Sequence, residues 1–213
     1  MNWFFEALTS SVGKKLLMAV TGLGFCGFLI AHLAGNVTMY GGGEAFNAYA
    51  AKLHSLGLIL RIAEAGLVFF AIVHITTGAV LFFQNLRARP VRYHVKKTAG
   101  AQSLAAATMP YTGILVLLFV VNHLMDFSFV DKAHASIYQI VSEKFSNPLY
   151  VILYIVGMIL VAVHVSHGLW SAFQTIGANH PKYMPFLRKM SIVFSILIGI
   201  GFGTLPIYVS LIS

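Results

Sequence analysis

Four of the nine histidines of this 213-residue chain, His32, His74, His123 and His164, fall one each within four long apolar runs. An ionisable side chain placed in hydrocarbon is costly, and it marks a functional position by default. One such residue alone would read as a helix-to-helix hydrogen bond; four in a pattern read as ligands. The pattern is one of depth, at about 1.5 Å of rise per helical residue. His32 lies 4 residues before Asn36 and His123 lies 3 before Asp126, so both sit roughly 5 Å from one polar boundary. His74 comes 13 residues after Arg61 and His164 comes 17 after Asn147, which puts both roughly 20 to 25 Å below that boundary. The spacings also agree, 42 residues from His32 to His74 and 41 from His123 to His164.

In an up-down-up-down bundle the first and third helices are diagonal, as are the second and fourth. His32 can then face His123 at one depth, and His74 can face His164 at the other. Two neutral imidazoles on facing helices suit the axial sites of a haem iron, and using both leaves no position for oxygen or substrate. Such a centre transfers electrons. A flat macrocycle between helices also needs small residues beside the ligand. Gly78 follows His74 by four residues, Gly168 follows His164 by four and Gly157 precedes it by seven, each on its ligand's own face. Close helix packing would use the same glycines, yet the repeated HxxxG favours His164 over His167, one turn further on. His54, His94, His134 and His180 fall in connections and read as solvated.

Composition names the elements that must hold these side chains. The chain is 58% hydrophobic and 9% charged, with a mean hydropathy of +0.82, whereas ordinary soluble domains carry about a quarter charged residues. A soluble globular enzyme, a disordered chain and a nucleic-acid binder are excluded. Five runs reach the roughly 20 residues needed to cross hydrocarbon, near 16–33, 62–86, 109–127, 149–176 and 192–211. They are continuous rather than alternating, which favours helices over barrel strands. The expected fold is an all-α membrane protein, residues 1–213 forming a single transmembrane domain of five transmembrane helices. The first four form an antiparallel bundle around two haems. The fifth, with Gly199, Gly201 and Gly203 ahead of Pro206, packs against the bundle and kinks near its end. The first run is too long for a secretion signal and reads as a retained anchor. Segments 44–55 and 131–145 mix polar and apolar positions at helical spacing and predict short surface helices. Trp3, Phe4, Phe5 and Leu8 lay the N-terminus along the opposite interface.

Charge supplies orientation. There are 14 basic and 6 acidic residues, a net charge of +8. Lys14, Lys15, Arg87, Arg89, Arg92, Lys96, Lys97, Lys182, Arg188 and Lys189 fall on one side, against Lys52, Arg61, Lys132 and Lys144 on the other. Basic residues gather in cytoplasmic loops, so the chain is expected in the cytoplasmic membrane with its N-terminus inside and its C-terminus outside. The lone Cys26 excludes covalent haem attachment and an iron–sulfur cluster, and no dinucleotide fingerprint follows a strand pattern. Flavin and iron–sulfur chemistry must come from other chains.

The segments GKKLLMAVTGLGFCGFLIAHLAGN around His32, HITTG at His74, NHLMDF at His123 and HVSHGLW at His164 resemble the cytochrome b subunits of succinate:quinone and quinol:fumarate oxidoreductases. The resemblance is to the single-subunit, five-helix, two-haem form and covers essentially the whole chain. It implies two haem b groups, His32 with His123 on the distal iron and His74 with His164 on the proximal one. It further implies a flavoprotein and an iron–sulfur subunit on the cytoplasmic face, and a quinone, menaquinone or another, near the distal haem. On that side Glu44 and Glu64 could receive a quinol proton; Glu64, within a span, is the better placed on cost grounds. Some two-haem members carry a glutamate two residues before the fourth-helix ligand, implicated in proton movement. Ala162 stands there in this chain, so that route is not implied. Two other readings are a cytochrome b of another quinone-linked oxidoreductase and a haem-free transporter with a histidine proton relay. The quinol:cytochrome c type sets two histidines on each of two helices, a pattern no run here has. A transporter would need broken helices around a midplane cavity, whereas these runs are continuous.

Overall fold

A backbone in hydrocarbon must satisfy its own hydrogen bonds, so long apolar runs wind into helices. The computed structural model describes residues 2–88, 104–132 and 135–212. The expectations for Arg89, Arg92, His94, Lys96, Lys97 and His134 therefore lie outside the described residues. Every regular element among the described residues is helical: α1 (Asn2–Thr9), α2 (Ser11–Val37), α3 (Gly42–His54), α4 (Leu58–Arg87), α5 (Leu104–Phe127), α6 (Ile137–Phe145), α7 (Pro148–Thr175) and α8 (Met184–Ile212). Five segments are long and apolar enough to cross a membrane, those built on α2, α4, α5, α7 and α8. The short helices anticipated over 44–55 and 131–145 are α3 and α6. Both lie at one end of the bundle, here termed the α3/α6 end.

Local side chains set the boundaries. Ser10 accepts a hydrogen bond from the Gly13 amide at 3.0 Å, and Asn147 accepts from Leu149 at 3.0 Å with Pro148 in the first helical position. At α6, Ser136 and Gln139 form a reciprocal capping box. Helix α8 begins eight residues before the apolar run that seeds it. In its first turns the Arg188 guanidinium lies over the Trp170 ring of α7, 4.7 Å from its centre. At its other end α8 continues through the buried Pro206 to Ile212.

Around the bundle, α2 packs on α4 and α7, α5 packs on α7, and α4 meets α5 only sparsely. The diagonals are thus α2 with α5 and α4 with α7. Outside this square α8 runs along α7 and also touches α2. There the buried Ser191 hydroxyl donates to the Ser166 carbonyl at 2.7 Å. The Phe119 ring of α5 occupies the space a side chain at Gly157 would take, so only glycine lets these two helices close there.

At the α3/α6 end, the Asp126 carboxylate of α5 is 7% exposed. It accepts from Asn122 at 2.7 Å and from the Tyr154 hydroxyl of α7 at 2.8 Å, and it pairs with Lys144 of α6 at 2.9 Å. The hydrogen bond to Asp126 holds the Lys144 ammonium above its usual range. One carboxylate therefore joins three helices. Replacing Asp126 by alanine leaves the Tyr154 hydroxyl buried without its acceptor, at a cost of about 1 to 3 kcal/mol. Thermal unfolding of the detergent-solubilised protein should occur at a lower temperature in D126A, with Y154F between D126A and wild type. An unchanged midpoint in D126A would show that the carboxylate does not tie the helices.

Candidate functional site

His32 and His123 lie on the diagonal helices α2 and α5, five and four residues from the ends at Val37 and Phe127. His74 and His164 lie on the other diagonal, each 16 residues from its helix start at Leu58 and Pro148. Measured from the α3/α6 end, the first pair is shallow and the second deep, separated by roughly 17 Å along the bundle. The shallow ring centres are 5.8 Å apart with planes crossed at 81°. The deep ones are 6.5 Å apart at 70°. A metal shared by two imidazoles, with bonds of about 2 Å and each nitrogen about 1 Å from its ring centre, requires roughly 6 Å between centres. Both pairs meet that requirement. No group of three or more potential metal-ligating side chains occurs among the described residues. Two imidazoles set opposite each other are the protein donors that a bis-histidine haem would need.

The two pairs differ in what stands behind the rings. Phe28 stacks on His32 at 5.1 Å, and Phe202 of α8 approaches it at 5.4 Å. Around His123 are Phe127 at 5.4 Å, Tyr154 at 6.0 Å and Phe119 at 6.3 Å. The shallow pair therefore has aromatic walls. Behind the deep rings are hydroxyls: Thr21 Oγ1 lies 3.0 Å from His74 Nδ1 and Thr112 Oγ1 lies 3.2 Å from His164 Nδ1. The following residue is glycine in both places. A Cβ at Gly22 or at Gly113 would already touch the imidazole, 3.4 Å from Cε1, so a larger side chain would displace the ring.

These contacts recur. Met18, Thr21, Gly22 and His32 of α2 match Met109, Thr112, Gly113 and His123 of α5, residue for residue and in order. The Met18 sulfur lies against Gly78 and the Met109 methyl against Gly168. The short helices follow the same relation, the Tyr138 amide donating to Asn47 Oδ1 at 3.1 Å across 91 residues, the same separation as His32 to His123. The two helix pairs α2–α4 and α5–α7 are thus alike in their contacts, as two copies about an axis along the bundle would be. Near-equal histidine spacings hinted at this, but the threonines went unnoticed in the sequence. Their signal is a Thr-Gly pair beginning eleven residues before His32 and again before His123, three turns away on the same helix face.

The other expected site residues are more dispersed. Gly78 and Gly168 stand by the deep histidines, each facing a methionine, whereas Gly157 faces Phe119. Glu64 is in the second turn of α4, half exposed, with its carboxylate 3.0 Å from Arg61. Glu44 is in the first turn of α3 and exposed. Both glutamates share the α3/α6 end with the shallow pair. His167 packs edge-on against Trp170 at 4.8 Å, and its Nδ1 is buried without a hydrogen-bond partner.

Comparison with known proteins adds one relative. The succinate dehydrogenase cytochrome b558 subunit of Bacillus subtilis (strain 168) is 29% identical over 156 residues, covering 70% of this chain and 72% of that protein. No protein-family model matches the chain, and no solved structure matches it. Over most of its length the chain is thus similar to a protein named as a cytochrome b558 subunit of succinate dehydrogenase.

Proposed function

We propose that this chain is the haem-bearing membrane anchor of a succinate dehydrogenase or fumarate reductase complex, carrying electrons between an iron–sulfur subunit and a membrane quinone, menaquinone or another. The observation that carries this reading is the pair of imidazole couples, centred 5.8 and 6.5 Å apart on the two diagonals. The curated relative, named as a cytochrome b558 subunit of succinate dehydrogenase, supports it.

On this reading His32 and His123 hold one haem b, and His74 and His164 hold the other. When bound, haem b would supply reversible one-electron exchange. The chain does the positioning. Gly78 and Gly168 keep the deep histidines' own faces free of bulk, and Gly157 lets Phe119 close the gap between α5 and α7. The end of the bundle opposite α3 and α6 carries Lys14, Lys15, Arg87, Lys182, Arg188 and Lys189. That end is the cytoplasmic one by the positive-inside rule, and it is where the flavoprotein and iron–sulfur subunits dock. Quinone approaches from lipid at the α3/α6 end, where a carboxylate oxygen of Glu64 or Glu44 takes up a proton.

Replacing His74 or His164 by alanine should lower the haem content, read as pyridine haemochrome per chain, from two to one. Electron transfer to quinone should be lost while succinate oxidation by a soluble dye stays near wild type. H32A and H123A should lose the other haem. Retention of both haems in H74A or H164A would refute the deep pairing. For the carboxylates, E64Q should slow the quinone reaction by about tenfold or more with both haems in place. Wild-type rates in E64Q and in E44Q would remove both residues from the proton step.

A further inference from the structure

The two threonines behind the deep histidines make a contact that goes beyond packing. A threonine hydroxyl has one hydrogen to donate and two lone pairs to accept with. In both places the hydrogen is directed to the threonine's own helix. Thr21 donates to the Leu17 carbonyl at 2.7 Å, and Thr112 donates to the Met109 and Thr108 carbonyls at 3.1 and 3.2 Å. The lone pair left facing the imidazole suits a ring that carries its hydrogen on Nδ1, which leaves the ring's own lone pair on Nε2, the nitrogen remote from the threonine.

We infer that Thr21 and Thr112 are positioning residues, which fix the tautomer and ring orientation of the two deep histidines and raise the electron-donating power of their Nε2 atoms. The inference rests on the proposed haem-binding function, since it concerns what those Nε2 atoms donate to. It stands on two separate contacts, 3.0 and 3.2 Å long, each made from a helix adjacent to the one that carries the histidine. Each is flanked by the glycine that lets the ring come close. A hydrogen bond accepted from the non-ligating nitrogen makes an imidazole a more basic ligand. A more basic ligand favours the ferric state, so removing the hydroxyl should make the deep haem easier to reduce.

The test uses the intact complex with T21V, T112V, T21S and T112S, and the H32A background to leave the deep haem alone for titration. Each valine variant should keep its haem while the ferrous-to-ferric ratio of the deep centre at a fixed potential rises about fivefold, as the net worth of one hydrogen bond implies. The double valine variant should shift further, and the serine variants should match wild type. The electron paramagnetic resonance signal of the deep centre should move with the potential, and that of the shallow centre should not. T21A and T112A decide the same question if a valine variant does not assemble. An unchanged deep potential in the valine or alanine variants would overturn the inference. So would equal shifts at both centres, or serine variants that shift as far as valine. A wild-type complex without any b-type haem spectrum would instead overturn the proposed function on which the inference rests.

Discussion

The bundle depends on holding two imidazoles opposite each other across a diagonal, with crossed planes and centres 5.8 or 6.5 Å apart, a separation that one shared metal would also need. Neighbouring helices set their spacing by interlocking side chains, but diagonal helices have no such means. Their separation is fixed by the perimeter. Here α2 packs on α4 and α7, and α5 on α7, while α8 backs the α7–α2 side and leaves the α4–α5 side lightly closed. Three closed sides bring the ring centres to 5.8 and 6.5 Å, within edge-to-face reach of each other across each diagonal. Position within the helices sets the depth: 16 residues separate His74 from the start of α4 and His164 from the start of α7.

Helices α2 and α5 each serve both depths from one face. Thr21 and His32, like Thr112 and His123, are eleven residues apart, about 16 Å along a helix and close to a whole number of turns. That rise matches the depth difference between the imidazole pairs. A helix that presents a histidine to the shallow site therefore presents a threonine to the deep one with no change of direction. The two halves share this device, and α8 is what makes them unequal. It supplies Phe202 to the shallow site on the His32 side, and among the described residues no second such helix stands behind His123. On that side the Asp126 network joins α5, α6 and α7, and Tyr154 belongs to it while also facing the His123 ring.

Much of this was legible in the sequence, because hydrocarbon makes apolar runs and buried ionisable groups conspicuous. The five spans, the two short helices and the histidine diagonals follow from counting residues at a fixed rise. Other features were not legible, for specific reasons. Thr21 and Thr112 look like ordinary threonines in membrane helices, whose hydroxyls bond back to their own helix; their second contact exists only once α4 and α7 are in place. Asp126 served as a marker of the polar boundary, yet it is nearly buried, because Lys144 and Tyr154 arrive from elements remote in sequence. Glu64 counted as costly because it lies inside an apolar run. The structure places it in the second turn of α4, half exposed and paired with Arg61 three residues earlier, so its charge has a partner that the apolar run does not reveal.

The two sites present the same kind of side chain to the space between them, yet they are not equivalent. The deep rings hydrogen-bond to hydroxyls, which strengthens them as donors. The shallow rings are walled by Phe28, Phe119, Phe127, Phe202 and Tyr154, with the Asn36 amide a longer 3.4 Å from His32 Nδ1. Hydrogen bonding to a ligand and the polarity of its surroundings are separate controls on a metal centre of fixed ligation. Duplicated helix pairs alone would tend to give matched centres. The difference arises because the threonines act at only one depth, while the aromatic residues and the single additional helix act at the other. On the proposed function, two haems with the same ligands would thereby be tuned apart without a change of ligand.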